Sequence, residues 1–151
     1  MRLFLPSFVG CLFLLAGCGG DPDVVQEFGV RTVTLPGGDR IVAEVMTRPE
    51  DMARGMMFRD SLPRDRGMLF IHPTPGRHRY WMYQVKVPLD IIWLDANRRI
   101  VEISAATPPC DKSKASECPL YGGGADARYV LELAGGEAAR RGVQTGQLLN
   151  F

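Results

Sequence analysis

Histidine is scarce in this chain, two residues in 151, and so are the spacings that turn side chains into chemistry. His72 and His78 flank a Pro/Gly turn, read here as an exposed loop, and form no metal-spaced pair. There is no Gly-rich phosphate loop and no nucleophile–base motif, so the signatures of nucleotide binding and of triad hydrolysis are missing. Excess charge of either sign is missing as well. Lys and Arg number 18 against 17 Asp and Glu, a net charge of +1. Nothing there steers the protein towards nucleic acid or an acidic polymer. The apolar run Leu3–Ala16 is 14 residues, short of the roughly 20 that a membrane-spanning helix needs. No internal repeat is found. What remains is ordinary globular material, 46% hydrophobic and 23% charged, in a length that suits one domain.

The N-terminus is read separately. Arg2, the short apolar run and small residues before a cut point describe a secretory signal over residues 1–17. Its ending, Leu15-Ala16-Gly17-Cys18, resembles the box of a bacterial lipoprotein signal, cleaved before a cysteine that is then lipidated. The expectation is a tether over 18–27 held to the membrane through Cys18. The alternative is an ordinary cleaved signal with Cys18 a bystander. Cys11 leaves with the signal, and loss of Arg2 brings the mature balance to 17 basic against 17 acidic side chains. Gly19 after Cys18 points to the periplasmic face of the outer membrane if the species is Gram-negative.

Residues 28–151 read as a single mainly β domain. Phe28 to Thr34 alternates as a strand, Pro36–Asp39 is a turn, and Ile41–Met46 returns as a hairpin. Thr47, Pro49 and Glu50 predict a capped helix from about Arg48 to Met56 or Met57. Gly67–His72 is a short strand closed by Pro73-Thr74-Pro75-Gly76. Trp81–Asp95 reads as two strands broken at Pro88, Arg99–Ala105 as another, Tyr129–Leu133 as another, and Gln147–Phe151 as the last. Thr107–Asp126 is a long surface loop, and Gly136–Arg141 forms a turn or two of helix. About eight short strands with one or two short helices predict a sandwich or barrel. A βαβ reading is rejected for want of crossover helices.

Within this frame a few groups carry chemistry. Asp90, among Leu89, Ile91 and Ile92, shares a strand face with Ile92 and Leu94 and needs an arginine or several backbone donors if buried. Arg54 and Arg59 are its expected partners. Met46, Met52, Met56, Met57, Met68 and Met82 are read as adaptable core filling rather than a thioether copper site. Trp81 and Trp93 are read as core and rim aromatics. Cys110 and Cys118, eight apart in an exported loop, are expected to form a disulfide.

Several segments in order then resemble one family: Arg54-Gly55-Met56-Met57-Phe58-Arg59, Leu62-Pro63, Gly67-Met68-Leu69-Phe70, Trp81-Met82, Pro88-Leu89-Asp90-Ile91-Ile92 and Tyr129-Val130-Leu131-Glu132. The resemblance is to domain-of-unknown-function family 192 and covers about Phe28 to Phe151. The family commonly has Lys-Asn-Thr after Trp-Met, where this chain has Tyr83-Gln84-Val85. The resemblance implies a compact, mainly β, often exported fold and no particular activity. The expected function is therefore non-catalytic binding of a small ligand or an envelope protein, with no cofactor, metal or nucleic acid. Its candidate residues are Arg54, Met56, Trp81, Met82, Gln84 and Asp90. The alternatives are a structural or assembly accessory of the envelope, or a hydrolase using Asp90 with Arg54.

Overall fold

A computed structural model describes residues 29–151. The expected signal over 1–17, Cys18 with its tether to residue 27, and Phe28 lie outside the described residues.

The protein is mainly β, with eight strands and two short α-helices among the described residues. Strands β1 (Val30–Thr34) and β2 (Arg40–Met46) pair antiparallel through the expected Pro36–Asp39 turn. Helix α1 (Pro49–Arg54) follows. Thr47 does not cap it. The proline at the first helical position makes extended Arg48 the boundary residue, and its guanidinium has no acceptor to offer a helix amide.

The chain then returns as β3 (Arg66–Gly76), parallel to β2, with Val42 opposite Arg66. The sequence reading rejected such a crossover. A single six-residue helix within the connection is enough for one parallel pair. Strand β3 also runs on through Pro73-Thr74-Pro75 to Gly76, where a turn was expected. Its pairing with β8 (Ala127–Ala134) slips register between Ile71 and Gly76, since prolines donate no ladder hydrogen bond.

Only the start of the 81–87 stretch is strand. β4 is Arg79–Trp81, after which the Met82 carbonyl accepts the amides of Val85 (3.2 Å) and Cys110 (3.1 Å), and Gln84 turns the chain at φ 58°. Its apparent alternation records a turn with buried Met82 and Val85. β5 (Leu89–Leu94) is buried at every position, and β6 (Ile100–Thr107) pairs with it. Within the long loop, β7 (Leu120–Gly122) pairs with β4 as a small second sheet. Helix α2 (Glu137–Arg140) follows β8.

The large sheet runs β1-β2-β3-β8-β5-β6 and does not close on itself, which gives a sandwich-like rather than a barrel fold. Both its faces are covered. One core gathers Ile41, Leu69, Ile92, Leu131 and Leu133 under α2 and the C-terminal residues. The other gathers Met68, Phe70, Ile91, Trp93 and Val130 under α1 and the small sheet. The small sheet sits down on Trp93 at Gly122, where φ is +80° and an added Cβ would lie 2.3 Å from the indole. The last residues form no strand. Leu148 bridges to Arg99 and Asn150 to Thr34, tying the two outer strands together.

Candidate functional site

Between α1 and the small sheet, the second core opens into a cleft of about 360 Å³. One wall is α1 and its exit, bringing Met52, Met56 and Met57. Gly55 ends the helix so close to Phe70 that a Cβ there would sit 3.3 Å from the ring. The opposite wall is Tyr80, Trp81, Tyr83 and Val85. Arg54, Arg79 and Leu120 stand at the mouth, all three exposed.

The floor is β3 and β8. Along β8, Val130 packs in the cleft-side core while Leu131 and Leu133 pack in the other, and the same alternation puts Glu132 on the cleft side. Its cross-strand neighbours are Met68 and Ile91. Glu132 is 5% exposed and its Oε2 is buried with no hydrogen-bond partner. Burial pushes its carboxyl up to about 8, against the weaker pull of the Arg59 guanidinium. Arg59 is itself committed to Glu44, with two hydrogen bonds of 2.7 and 2.8 Å.

Beside it the Tyr80 hydroxyl lies 3.0 Å from His72 Nε2. Burial first, and Glu132 second, push the Tyr80 phenol up. Burial first, and the stacked ring of His78 at 3.4 Å second, push His72 down to about 4. At neutral pH the floor is therefore uncharged: a protonated carboxyl, a neutral imidazole and a phenol. The two histidines are half-buried partners, not exposed loop residues. Among the described residues, the polar side chains that line the cleft are Arg54, Arg79, His72, Tyr80, Tyr83 and Glu132, which offer hydrogen bonding and proton exchange.

The model of the family DUF192, described as "Uncharacterized ACR", matches residues 32–151. The chain belongs to this family. A DUF192-like fold is seen in a protein of unknown function from Novosphingobium aromaticivorans DSM 12444, 28% identical, with a TM-score of 0.73 over 94% of this chain and 100% of that one. A second similar structure, described as a candidate transcription regulator from Sinorhizobium meliloti 1021, is 26% identical. Its TM-score is 0.69 over 79% of this chain and 89% of that one. No curated protein matches the sequence.

Of the residues singled out in this DUF192 chain, Arg54, Met56 and Trp81 meet at the cleft. Met82 lies in the core beside it, and Gln84 is exposed, its carbonyl accepting the Phe58 amide at 2.9 Å. Asp90 lies on the opposite face of the sheet. It is fully buried, as expected, but neither Arg54 nor Arg59 reaches it. Its Oδ1 accepts the amides of Ala106 (2.6 Å) and Gly136 (3.0 Å), and Oδ2 that of Ala138 (2.7 Å). These donors satisfy the carboxylate and cap α2, so no arginine is needed. The pairing of Asp90 with Arg54 that a hydrolase would use is not formed. Met46, Met68 and Met82 are core fillers, and the Cys110–Cys118 disulfide is present with Cα atoms 5.9 Å apart. Among the described residues no cluster of three His, Cys, Asp or Glu is placed to hold a metal. Sequence reasoning missed Glu132, Tyr80 and His72 as site residues. Glu132 carried the signal that exposed Asp90, a lone carboxylate in an apolar strand (Tyr129-Val130-Leu131-Glu132-Leu133).

Proposed function

We propose that this DUF192 protein is a lipid-anchored envelope domain that binds a small, largely apolar ligand in the α1–β4 cleft without transforming it. One observation carries the reading: an unpartnered, buried carboxyl on the floor of a cavity walled by aromatic rings and thioethers. Ligand sites are concave, mostly apolar and furnished with a few convergent polar groups, and 360 Å³ falls at the small end of their range of roughly 300–1,000 Å³. The disulfide fits an oxidising, exported location.

The test is native mass spectrometry of protein isolated from envelopes. The parent carries an extra small mass that denaturation releases. The variant Ala53→Trp, which fills the cleft from its exposed helical wall, carries none. An empty parent protein, or an Ala53→Trp variant that carries the same mass, overturns the reading.

A further inference from the structure

Buried polar atoms in native proteins are paired in about 90% of cases or more, so one left alone and facing a cavity marks a missing partner. Glu132 Oε2 is left alone and shut off from solvent, and the residue that carries it lines the cleft, so its carboxyl is the polar group the cavity offers. Arg128 Nε, the other unpaired one among the described residues, belongs to a residue that does not line the cleft. Around Glu132 stand the rings of Phe70, Tyr80, Trp81 and Tyr83, whose faces carry negative potential. A carboxyl at the floor and π faces on the walls select the same thing, a positive charge on an apolar body. Resting on the small-ligand reading above, we propose that the occupant is an apolar amine, its nitrogen paired with Glu132 and its hydrocarbon lying among the rings and methionines.

The protons balance in a definite way. Glu132 is protonated before binding, held so by burial. An ammonium ligand pairs with the carboxylate, and the proton of Glu132 leaves to solvent. Ionising a group that titrates at about 8 costs tenfold in affinity at pH 7, which a buried ion pair and cation–π contact can exceed. Arg54 and Arg79 oppose a cation at the mouth. Both are exposed, where water and salt weaken them, while Glu132 acts in the buried floor. A neutral ligand leaves the carboxyl protonated and gains no ion pair. A thioether-bound copper ion leaves it without a hard donor's role.

The probes are phenethylamine, 2-phenylethanol and phenylacetate, matched in shape and differing in charge. Each is titrated into the full domain by tryptophan fluorescence, since Trp81 lines the cleft, and by calorimetry in buffers of different ionisation enthalpy. Phenethylamine is expected to bind at least tenfold more tightly than 2-phenylethanol and to release about one proton at pH 6.5 and none above pH 9. Glu132→Gln, checked for folding by its melting curve, is expected to lose at least tenfold in amine affinity, abolish the proton release and remove the preference for amine over alcohol. Equal binding of amine and alcohol, or tightest binding of the acid, overturns the amine inference and leaves the small-ligand reading standing. Failure of all three probes to bind overturns both.

Discussion

A carboxyl buried without a partner makes stability depend on pH, and Glu132 fixes the direction. Its folded-state value of about 8 lies above the ordinary 4.5, so between those limits the native state holds a proton that the unfolded chain has released. Stability from this group is complete below about pH 4.5 and is lost as pH rises towards 8, at a slope of at most about 1.4 kcal/mol per pH unit. His72 acts oppositely. Its folded value of about 4 lies below 6.5, so acidification through that window favours the unfolded chain. Melting temperature should rise from pH 8 to about 6.5 and then flatten as the two effects offset. Glu132→Gln should raise the melting temperature at pH 8 and leave it nearly unchanged at pH 4, while His72→Gln should let the rise continue to about pH 4.5. A parent profile that climbs steadily with pH contradicts this assignment. Asp90 makes a different case. Asp90→Asn turns one acceptor oxygen into a donor facing an amide, which should cost roughly 2–3 kcal/mol and lower the melting temperature by about 8–10 °C. A shift under 2 °C would count against the three-amide cap. The burial of Asp90 was legible from Leu89, Ile91 and Ile92. Its partners were not, because Ala106, Gly136 and Ala138 contribute only backbone amides, and every residue has one.

At the scale of elements, the cleft depends on a sheet of only two three-residue strands, β4 and β7, too small to be stable alone. Its attachments include Trp93 packed under Gly122, the Trp93 indole N–H donating to the His78 carbonyl at 2.9 Å, the Tyr80–His72 hydrogen bond and the disulfide. Cys110 donates its amide to Met82, so the crosslink fixes the loop just beyond the Trp81 wall. Replacing both cysteines by serine should cost about 2.5 kcal/mol from loop entropy. Hydrogen exchange should quicken in 79–83 and 120–122 before it does in β3, β5 and β8. Uniform acceleration would mean that the disulfide serves the whole fold instead. Most strands were legible because alternation and turn residues are local signals. The β2–β3 parallel pair was not, because nothing in Arg40–Met46 or Arg66–Gly76 records which way the partner runs. The alternation of 81–87 misled, since Gln84 in a left-handed turn leaves the same polar–apolar pattern as a strand.

Across the whole molecule, attachment and assembly are the open variables. Cys18→Ser should release the protein from membranes, because lipid anchoring rests on several acyl chains of about 0.8 kcal/mol per buried CH₂ and no described helix is long and apolar enough to cross a bilayer. Persistence in the membrane pellet after a salt wash would refute a lipidated Cys18. The C-terminal clasp has a consequence of another kind. A sheet that does not close has two open margins, each a row of free amides and carbonyls able to recruit a foreign strand. Here Asn150 exchanges hydrogen bonds with Thr34 at one margin, and Gln147 and Leu149 bond Ile100 and Arg98 at the other, while Phe151 packs on Tyr129 beneath the Arg98 guanidinium. One short segment thus occupies part of both templates at once. Loss of residues 147–151 would free the two margins together, each able to take up a strand from the next copy, so that fibre-like polymerisation rather than simple unfolding becomes the natural failure of this fold.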